Sequence, residues 1–161
     1  MSCPQPAAFV SDASDCNDWS ASVHPGAHEV CGDTLDNDCN GVTDDSVVPS
    51  ARPVLALSAA GGNASLAWSP VPSALFYDVV TGGVGALRAS NGDFGSATTA
   101  CLGNDVYGTN ASDAALPPSG DAFWYLVRGA SCGGAGSYDG PAPPQSGSRD
   151  AEIAGSAGGC P

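Results

Sequence analysis

FWYLVR, residues 123–128, begins with three consecutive aromatic side chains. Aromatic and branched residues in a short run of this kind are typical of a β-strand. Similar short runs occur elsewhere, separated by Gly, Pro, Asn and Ser: VLALS (54–58), ASLAWS (64–69), LFYDVV (75–80), GALRAS (85–90) and DAEIAG (150–155). Six or seven such strands, with turn residues between them and no amphipathic helix, predict an all-β fold, specifically an antiparallel β-sandwich.

The order of these runs resembles a fibronectin type III domain over residues 50–155. The resemblance rests on Pro53, Leu55, Leu57, Leu66-Ala67-Trp68, Pro72, Tyr77, Val79 and Leu116-Pro117-Pro118 before FWYLVR. It implies that Trp68 is the core tryptophan of the second strand and that Tyr77 and Val79 face it. It also implies that the inward positions of the sixth strand are Phe123, Tyr125 and Val127. The segment from Gly82 to Asn104 is longer than this family requires.

Trp124 lies between two inward positions of the same strand and is therefore expected on the opposite face of its sheet. There it either covers a partner or lies under a loop. The sequence leaves both alternatives open.

Charge divides the chain into two parts near Val48-Pro49. The 161 residues contain 17 acidic residues, four arginines and no lysine, for a net charge of −13. Residues 1–49 carry nine of the acidic residues and no arginine. Nucleic acids and anionic membranes bind through Lys and Arg, so neither is an expected partner. We predict a small acidic, Cys-rich metal-binding module at 1–49 and a β-sandwich at 50–161.

CGDTLDNDCNGVTDD, residues 31–45, contains five acidic residues, two cysteines and no basic residue. The first part of the chain has few large apolar residues, so burial alone would not offset its chain entropy and a metal or disulfides are needed. From Asp36 onward, oxygen side chains occupy the first, third, fifth and ninth positions: Asp36, Asp38, Asn40 and Asp44. This is the first half of a calcium loop, with Gly41 at the turn and the Val42 carbonyl as a further ligand.

The second half of a calcium loop is missing, because Val47 occupies the position of the usual bidentate Glu. Glu29, Asp33 or Asp45 would have to supply the remaining ligands. The loop is therefore not an EF-hand.

A wider pattern resembles the MopE-type metal-binding motif of bacterial surface proteins over residues 12–46. The matching segments are Asp15-Cys16-Asn17-Asp18, Pro25-Gly26-Ala27, Glu29-Val30-Cys31, Asp36-Asn37-Asp38-Cys39-Asn40-Gly41 and Asp44-Asp45. The resemblance adds Asp15 and Asp18 to the candidate ligands. Asn17 and Asn40 replace Asp of the family pattern, and Trp19 stands where a small polar residue is common.

Calcium is the expected metal, because hard oxygen ligands dominate the set. Copper is the alternative that the family name suggests, but copper prefers imidazole and sulfur. Only His24 and His28 offer imidazole, and both are expected at the surface beside a Pro-Gly turn. An acidic loop without an ordered metal is the third possibility.

Seven cysteines in a short chain without lysine favour an exported protein. MSCPQPAAFV at the amino terminus has no features of a secretion signal, so a leader is expected to have been removed. Four cysteines in the first part allow three pairings, of which we expect Cys3 with Cys16 and Cys31 with Cys39. The fibronectin resemblance implies that Cys101 pairs with Cys132. Cys160 would then be left for an intermolecular bond or a free thiol.

No catalytic pattern accompanies these features. A Ser/His/Asp site lacks a G-x-S-x-G context, and Ala27-His28-Glu29 is not followed by the second histidine of a zinc hydrolase. We therefore expect a non-enzymatic extracellular or cell-surface structural or adhesive protein, stiffened by calcium and disulfides. Its low-charge second part further suggests self-association, in one version as the subunit of a filament. The alternative is a dedicated secreted metal-binding protein for calcium or copper.

Overall fold

The structure is a computed structural model that describes residues 14–45, 47–60, 62–140 and 147–161. Turns and loops make up the described chain before the first strand. In chain order the elements are β1 (Leu55–Ala60), β2 (Asn63–Trp68), β3 (Phe76–Gly83), α1 (Val84–Ala89), α2 (Phe94–Ala97), β4 (Thr98–Val106), β5 (Asn110–Asp113), β6 (Phe123–Ser131), β7 (Gly134–Ala135) and α3 (Arg149–Ala154). The boundary expected near residue 49 stays a prediction.

Two antiparallel sheets form the fold. One has the strand order β1-β2-β5 and the other β4-β3-β6-β7. The predicted all-β, fibronectin type III-like antiparallel sandwich is confirmed. FWYLVR lies in β6, which pairs with β3 along its length from Phe76↔Ala130 to Gly83↔Phe123.

The core lies between the two sheets. Its buried members are Leu66, Trp68, Val71, Tyr77 and Val79, and Leu55, Tyr125 and Val127 are among the partly buried residues that pack on them. The alternation of the strands therefore identified most core positions. Two predicted positions are exceptions: Leu57 lies opposite Leu66 on the edge strand β1 but is exposed, and Phe123 is not among the residues of this core.

Two predicted strands are helices instead. GALRAS falls in α1 and DAEIAG falls in α3. Both segments are rich in Ala, which favours a helix over a strand, and the Ser148 hydroxyl caps α3 by accepting a hydrogen bond from the Ala151 amide. Within the described ranges, no helix has the length and apolar character that a membrane crossing requires.

The helices cover the outer face of the four-stranded sheet. Val80, Tyr138, Ile153 and Cys160 form a second buried cluster there, with Trp124 packed against it. The Trp124 ring meets Phe94 of α2 edge to face, with ring centroids 4.9 Å apart. Of the two alternatives for Trp124, the structure therefore supports cover by the chain itself.

Three disulfides join cysteines of the described chain: Cys16–Cys39, Cys31–Cys132 and Cys101–Cys160. The predicted pairings Cys31–Cys39 and Cys101–Cys132 are wrong, and Cys16 is not free for Cys3, which lies outside the described residues. Cys101 belongs to β4 and packs against the outer cluster, where the carboxyl-terminal segment brings Cys160 within a Cα–Cα distance of 5.0 Å. Cys160 is therefore not left over for an intermolecular bond.

β6 gives the sandwich two ends. Its last residues lead to Cys132, which is bonded to Cys31 and whose amide donates to the Asp45 carbonyl at 3.2 Å. We call the end of the sandwich at Cys132 the motif end, because residues 15–45 lie against it. The first residue of β6, Phe123, pairs with Gly83 at the opposite end, where α1 begins.

Candidate metal centre

Asn37 is the internal anchor of the acidic segment. Its side chain is 1% exposed. The Val30 amide donates to its Oδ1 at 2.8 Å, its Nδ2 donates to Asp33 Oδ2 at 3.1 Å, and the His24 amide donates to its backbone carbonyl at 2.9 Å. Sequence analysis did not single out this residue. Its position between two expected ligands, on the inner side of the loop, was the available signal.

Carboxylates and left-handed residues fold the loop that follows. Asp36 accepts hydrogen bonds from the amides of Asn40 at 3.0 Å and Gly41 at 2.8 Å. Cys39 and Gly41 have φ angles of 58° and 92°, which turn the chain sharply. Cys39 is held in this conformation by its disulfide to Cys16. The glycine predicted at the turn of a calcium loop therefore has the backbone geometry that such a turn requires.

Glu29, Asp36 and Asp38 bring oxygen atoms together within 4.8 Å of one another. Glu29 comes from outside the loop and is 2% exposed. Its Oε1 accepts a hydrogen bond from the Asp38 amide at 2.9 Å, whereas its Oε2 is buried and has no hydrogen-bond partner. A buried carboxylate oxygen without a partner is costly unless a cation neutralises it.

No arginine of the described chain pairs with these three carboxylates; Arg128 pairs with Asp78 of β3 instead, at 2.9 Å. Three negative groups at this spacing repel one another unless a positive charge lies between them. The unpartnered Glu29 oxygen and the missing counter-charge both fit a bound cation. We call Glu29, Asp36 and Asp38 the carboxylate cluster.

Asn40 links the cluster to Asp45. Its Nδ2 donates to Asp38 Oδ2 and to Asp45 Oδ2, both at 3.0 Å, and its Oδ1 accepts from the Val42 amide at 2.8 Å. The expected ligands Asn40, Val42 and Asp45 therefore lie beside the cluster.

The other expected ligands have different contacts. Asp33 accepts from the Leu35 amide at 2.8 Å, Asp44 from the Gly32 amide at 2.7 Å and Asp15 from the Asn17 amide at 2.9 Å. Asp18 is exposed. Asp15, Asp18, Asp33 and Asp44 are not members of the carboxylate cluster. Asp15 and Asp33 stabilise local turns, and Asp44 links to the more distant Gly32.

Imidazole and thiolate groups are absent from the cluster. His24 Nδ1 lies 3.1 Å from the Pro25 carbonyl, and the His28 ring stacks on Tyr107 with centroids 4.2 Å apart. Cys16, Cys31 and Cys39 are in disulfides. The donor set of the cluster is therefore entirely oxygen, which suits a hard cation.

Comparison with known proteins finds one family model and one similar solved structure of note. The family model named for copper-binding MopE, which describes a metal-binding motif, matches residues 15–45. A solved structure, the crystal structure of a Fn3-like protein from Clostridium thermocellum, is 25% identical, with a TM-score of 0.38, and the match covers 56% of this chain and 88% of that one. No curated protein matches the chain. The chain thus carries a motif similar to the metal-binding motif of MopE, and the two antiparallel sheets described above follow that motif.

Proposed function

We propose that the protein is a non-enzymatic extracellular structural protein in which calcium and disulfides hold the acidic motif rigid at one end of the β-sandwich. The observation that carries the proposal is the buried Glu29 oxygen without a hydrogen-bond partner. Glu29 belongs to a group of carboxylates that needs positive charge, and a bound cation would supply that charge.

Calcium suits the donors better than copper does. Calcium takes six to eight oxygen ligands in flexible geometry. Glu29, Asp36 and Asp38 would hold the ion, with Asn40, Val42 and Asp45 close enough along the chain to complete its shell. Glu29 would replace the carboxylate that a standard loop carries at its twelfth position. Copper would instead require imidazole or sulfur, which the cluster does not offer.

A structural role is supported by the way the motif is attached. The Cys31–Cys132 disulfide, the hydrogen bond between Asp45 and Cys132 and the stacking of His28 on Tyr107 join the two parts. An ion that binds only the folded motif stabilises the folded chain by mass action. Disulfides of this number also favour an oxidising, extracellular location.

Self-association, in a filament or another assembly, is a further element of the proposal. The covalent link expected at Cys160 is unavailable because this residue is bonded to Cys101. Any contact between copies must therefore be non-covalent at this position. The alternative function, a dedicated secreted metal-binding protein for calcium or copper, predicts metal uptake without such contacts.

Native mass spectrometry of the oxidised protein, before and after a calcium chelator, tests the metal. We expect chelator-sensitive calcium on the wild type and on Asp18→Asn, and its loss from Glu29→Gln. Asp18→Asn is the matched control, since it removes one exposed acidic charge from the same motif. Copper in place of calcium, or equal calcium binding by Glu29→Gln, would contradict the proposed site.

A further inference from the structure

A pocket of about 460 Å³ lies at the motif end of the sandwich, on the outer face of the four-stranded sheet. Its floor consists of Phe76 and Asp78 of β3 and of Arg128 and Ala130, which lie opposite them on β6. These positions of β3 alternate with the inward-facing core positions and therefore point to the outer face. Pockets of about 300–1,000 Å³ are large enough for small organic ligands.

The walls of the pocket come from both parts of the chain. Asp105 of β4 and Tyr107, just after it, line one side, and β7 lines the other, since β4 and β7 are the outer strands of this sheet. The motif closes the pocket through Glu29, and the Cys31–Cys132 disulfide holds the motif against this end. We call this space the junction pocket.

The junction pocket carries more negative than positive charge. Glu29, Asp78, Asp105 and Arg128 are the charged residues that line it. Arg128 Nε donates to Asp78 Oδ2 at 2.9 Å, so these two side chains neutralise each other on the floor. Asp105 Oδ2 accepts a hydrogen bond from the Asn104 side chain at 2.7 Å, but no basic side chain of the described residues forms an ion pair with it. The unbalanced charge favours a positively charged ligand.

Two carboxylates of the pocket lack compensation for their burial. Burial, and then the Asp78 charge, raise the pKa of Asp105, which means that its ionised form is disfavoured in the folded chain. Glu29 is buried, and its Oε2 has no hydrogen-bond partner. A cation in the pocket would offset part of this cost. The unpartnered Glu29 oxygen is thus a second indication of a cationic ligand, independent of the charge balance.

A metal ion suits the junction pocket less well than an organic cation does. Asp78 directs Oδ1 at the Asp105 amide, at 3.3 Å, and Oδ2 at Arg128. A metal ion requires several oxygen atoms that converge on one point. Among the described residues such convergence is found in the carboxylate cluster, to which neither Asp78 nor Asp105 belongs.

Aromatic rings provide an apolar surface next to Asp105. Tyr107 is exposed, and its ring lies 6.1 Å from that of Phe76, edge to face. The His28 ring stacks on Tyr107 with centroids 4.2 Å apart and thereby supports the Tyr107 ring beside the pocket. Aromatic rings attract ammonium groups and pack well against the carbon stem of an amine. Carboxylate and aromatic surface together match an ammonium group on an apolar stem.

We propose that the junction pocket binds a primary ammonium group on an apolar stem, as in a small alkylamine or a lysine side chain. The Asp105 carboxylate accepts hydrogen bonds from the ammonium group, and Tyr107 and Phe76 pack against the stem. The chain contains no lysine, so no side-chain amine of this chain or of a second copy supplies the group. The inference goes beyond the proposed function and requires neither calcium nor self-association.

NMR titration of the full oxidised chain with pentylamine at neutral pH tests the inference. We expect saturable shifts of the backbone amide resonances of Asp105, Tyr107 and Gly134, which line the pocket. Pentanol has the same stem without the charge and should bind at least about tenfold more weakly, because the charge-assisted hydrogen bond is lost. Equal binding of pentanol and pentylamine would overturn the inference.

Asp105→Asn should weaken pentylamine binding at least about tenfold. Asn tolerates the φ angle of 54° at this position, so the variant should keep the fold. Asp18→Asn is the matched control, because it removes an exposed carboxylate that does not line the pocket, and it should bind pentylamine like the wild type. Equal weakening by both variants, or shifts spread over the whole acidic surface, would mean that the amine responds only to the net charge of −13 and would overturn the inference.

The titrations are run both in chelator and in calcium, so that the inference and the calcium site can fail separately. Weaker binding by Asp105→Asn but not by Asp18→Asn in both conditions supports the inference whether or not calcium binds. Nα-acetyl-lysine methylamide serves as a second probe. Tighter binding of this capped lysine than of pentylamine would assign the pocket to a lysine of a partner protein, and the reverse order would assign it to a free amine. No saturable binding of either amine would overturn the inference.

Discussion

Cys31 and Cys132 are bonded to each other although 101 residues separate them in the sequence. The bond closes a loop that contains six of the seven strands found in the described residues, and it fixes the metal-binding motif to the end of β6. A disulfide stabilises mainly by restricting the unfolded chain, and the effect grows with loop length.

The Cys31→Ser/Cys132→Ser double variant should therefore lose about 2–5 kcal/mol of unfolding free energy. Cys16→Ser/Cys39→Ser opens a loop of only 23 residues, and chain entropy predicts a loss about 1 kcal/mol smaller. Urea denaturation of both double variants without reductant measures the difference. Equal losses would mean that loop length does not govern the stabilisation.

Glu29→Gln should have opposite effects with and without calcium. Without calcium the substitution removes a buried charge whose Oε2 has no partner, so unfolding should require about 1–3 kcal/mol more. With calcium at a hundredfold excess over its dissociation constant, the wild type should gain about 2.7 kcal/mol, and the variant should gain little of it. Thermal denaturation of the wild type and of Glu29→Gln, each in chelator and in calcium, gives the four unfolding free energies. Asp18→Asn is the control, which should follow the wild type.

Two aspartates should give opposite pH dependences. Burial, and then the Asp78 charge, raise the pKa of Asp105. The folded chain therefore holds the carboxyl proton of Asp105 more tightly than the unfolded chain does. Asp105 becomes less destabilising as the pH falls through its folded-state pKa. Hydrogen bonds from the Ser96 hydroxyl and the Gly95 amide lower the pKa of Asp93, so its stabilisation is present above its unfolded pKa and is lost as pH falls through its folded pKa.

Asp105→Asn should consequently raise stability at neutral pH, and Asp93→Asn should lower it. Asn is well suited to position 105, which has a φ angle of 54°. Arg128, which pairs with Asp78, and Glu29 line the same pocket as Asp105. Denaturation of the three proteins between about pH 3 and pH 7 should show the variants converging toward the wild type at the acidic limit, where both carboxylates are protonated. A constant difference in unfolding free energy between a variant and the wild type over the whole pH range would contradict the role given to that carboxylate.

Asp78 and Arg128 lie opposite each other on β3 and β6 and form an ion pair with little exposure. Arg128 also stacks on the Tyr138 ring at 4.6 Å. Asp78→Ala should cost about 3–5 kcal/mol, because it leaves the guanidinium buried without its partner. The Asp78→Ala/Arg128→Met double variant should recover part of this loss in urea denaturation, and no recovery would mean that the two residues act independently.

The sequence was sufficient to predict features that depend on local pattern. The run of aromatic and branched residues in FWYLVR identified β6, and the spacing of Asp36, Asp38 and Gly41 identified the loop that carries two of the three clustered carboxylates. Glu29 was named, with Asp33 and Asp45, as a possible replacement for the carboxylate that the calcium loop lacks at its twelfth position. Its burial and its free oxygen depend on the folded loop and have no signature in sequence.

Features that depend on distant parts of the chain were not predicted. Cys132 meets Cys31 only because the motif lies at the end of β6, and Cys160 meets Cys101 only because the carboxyl-terminal segment covers the outer sheet. The short Ala-rich segments of α1 and α3 were also ambiguous, since a six-residue run is as long as an average strand and shorter than an average helix. Tertiary packing decided between them.

The arrangement of the disulfides has a mechanical consequence. If the chain were pulled from its two ends, tension entering at Cys31 would pass directly to Cys132 and bypass β1, β2 and β3, which lie in the loop that this bond closes. From Cys132 the force would reach Cys160 along the chain that joins them, or through Cys101 in parallel with it. The first three strands are thus shielded from stretching, which limits how far the oxidised chain can extend under load.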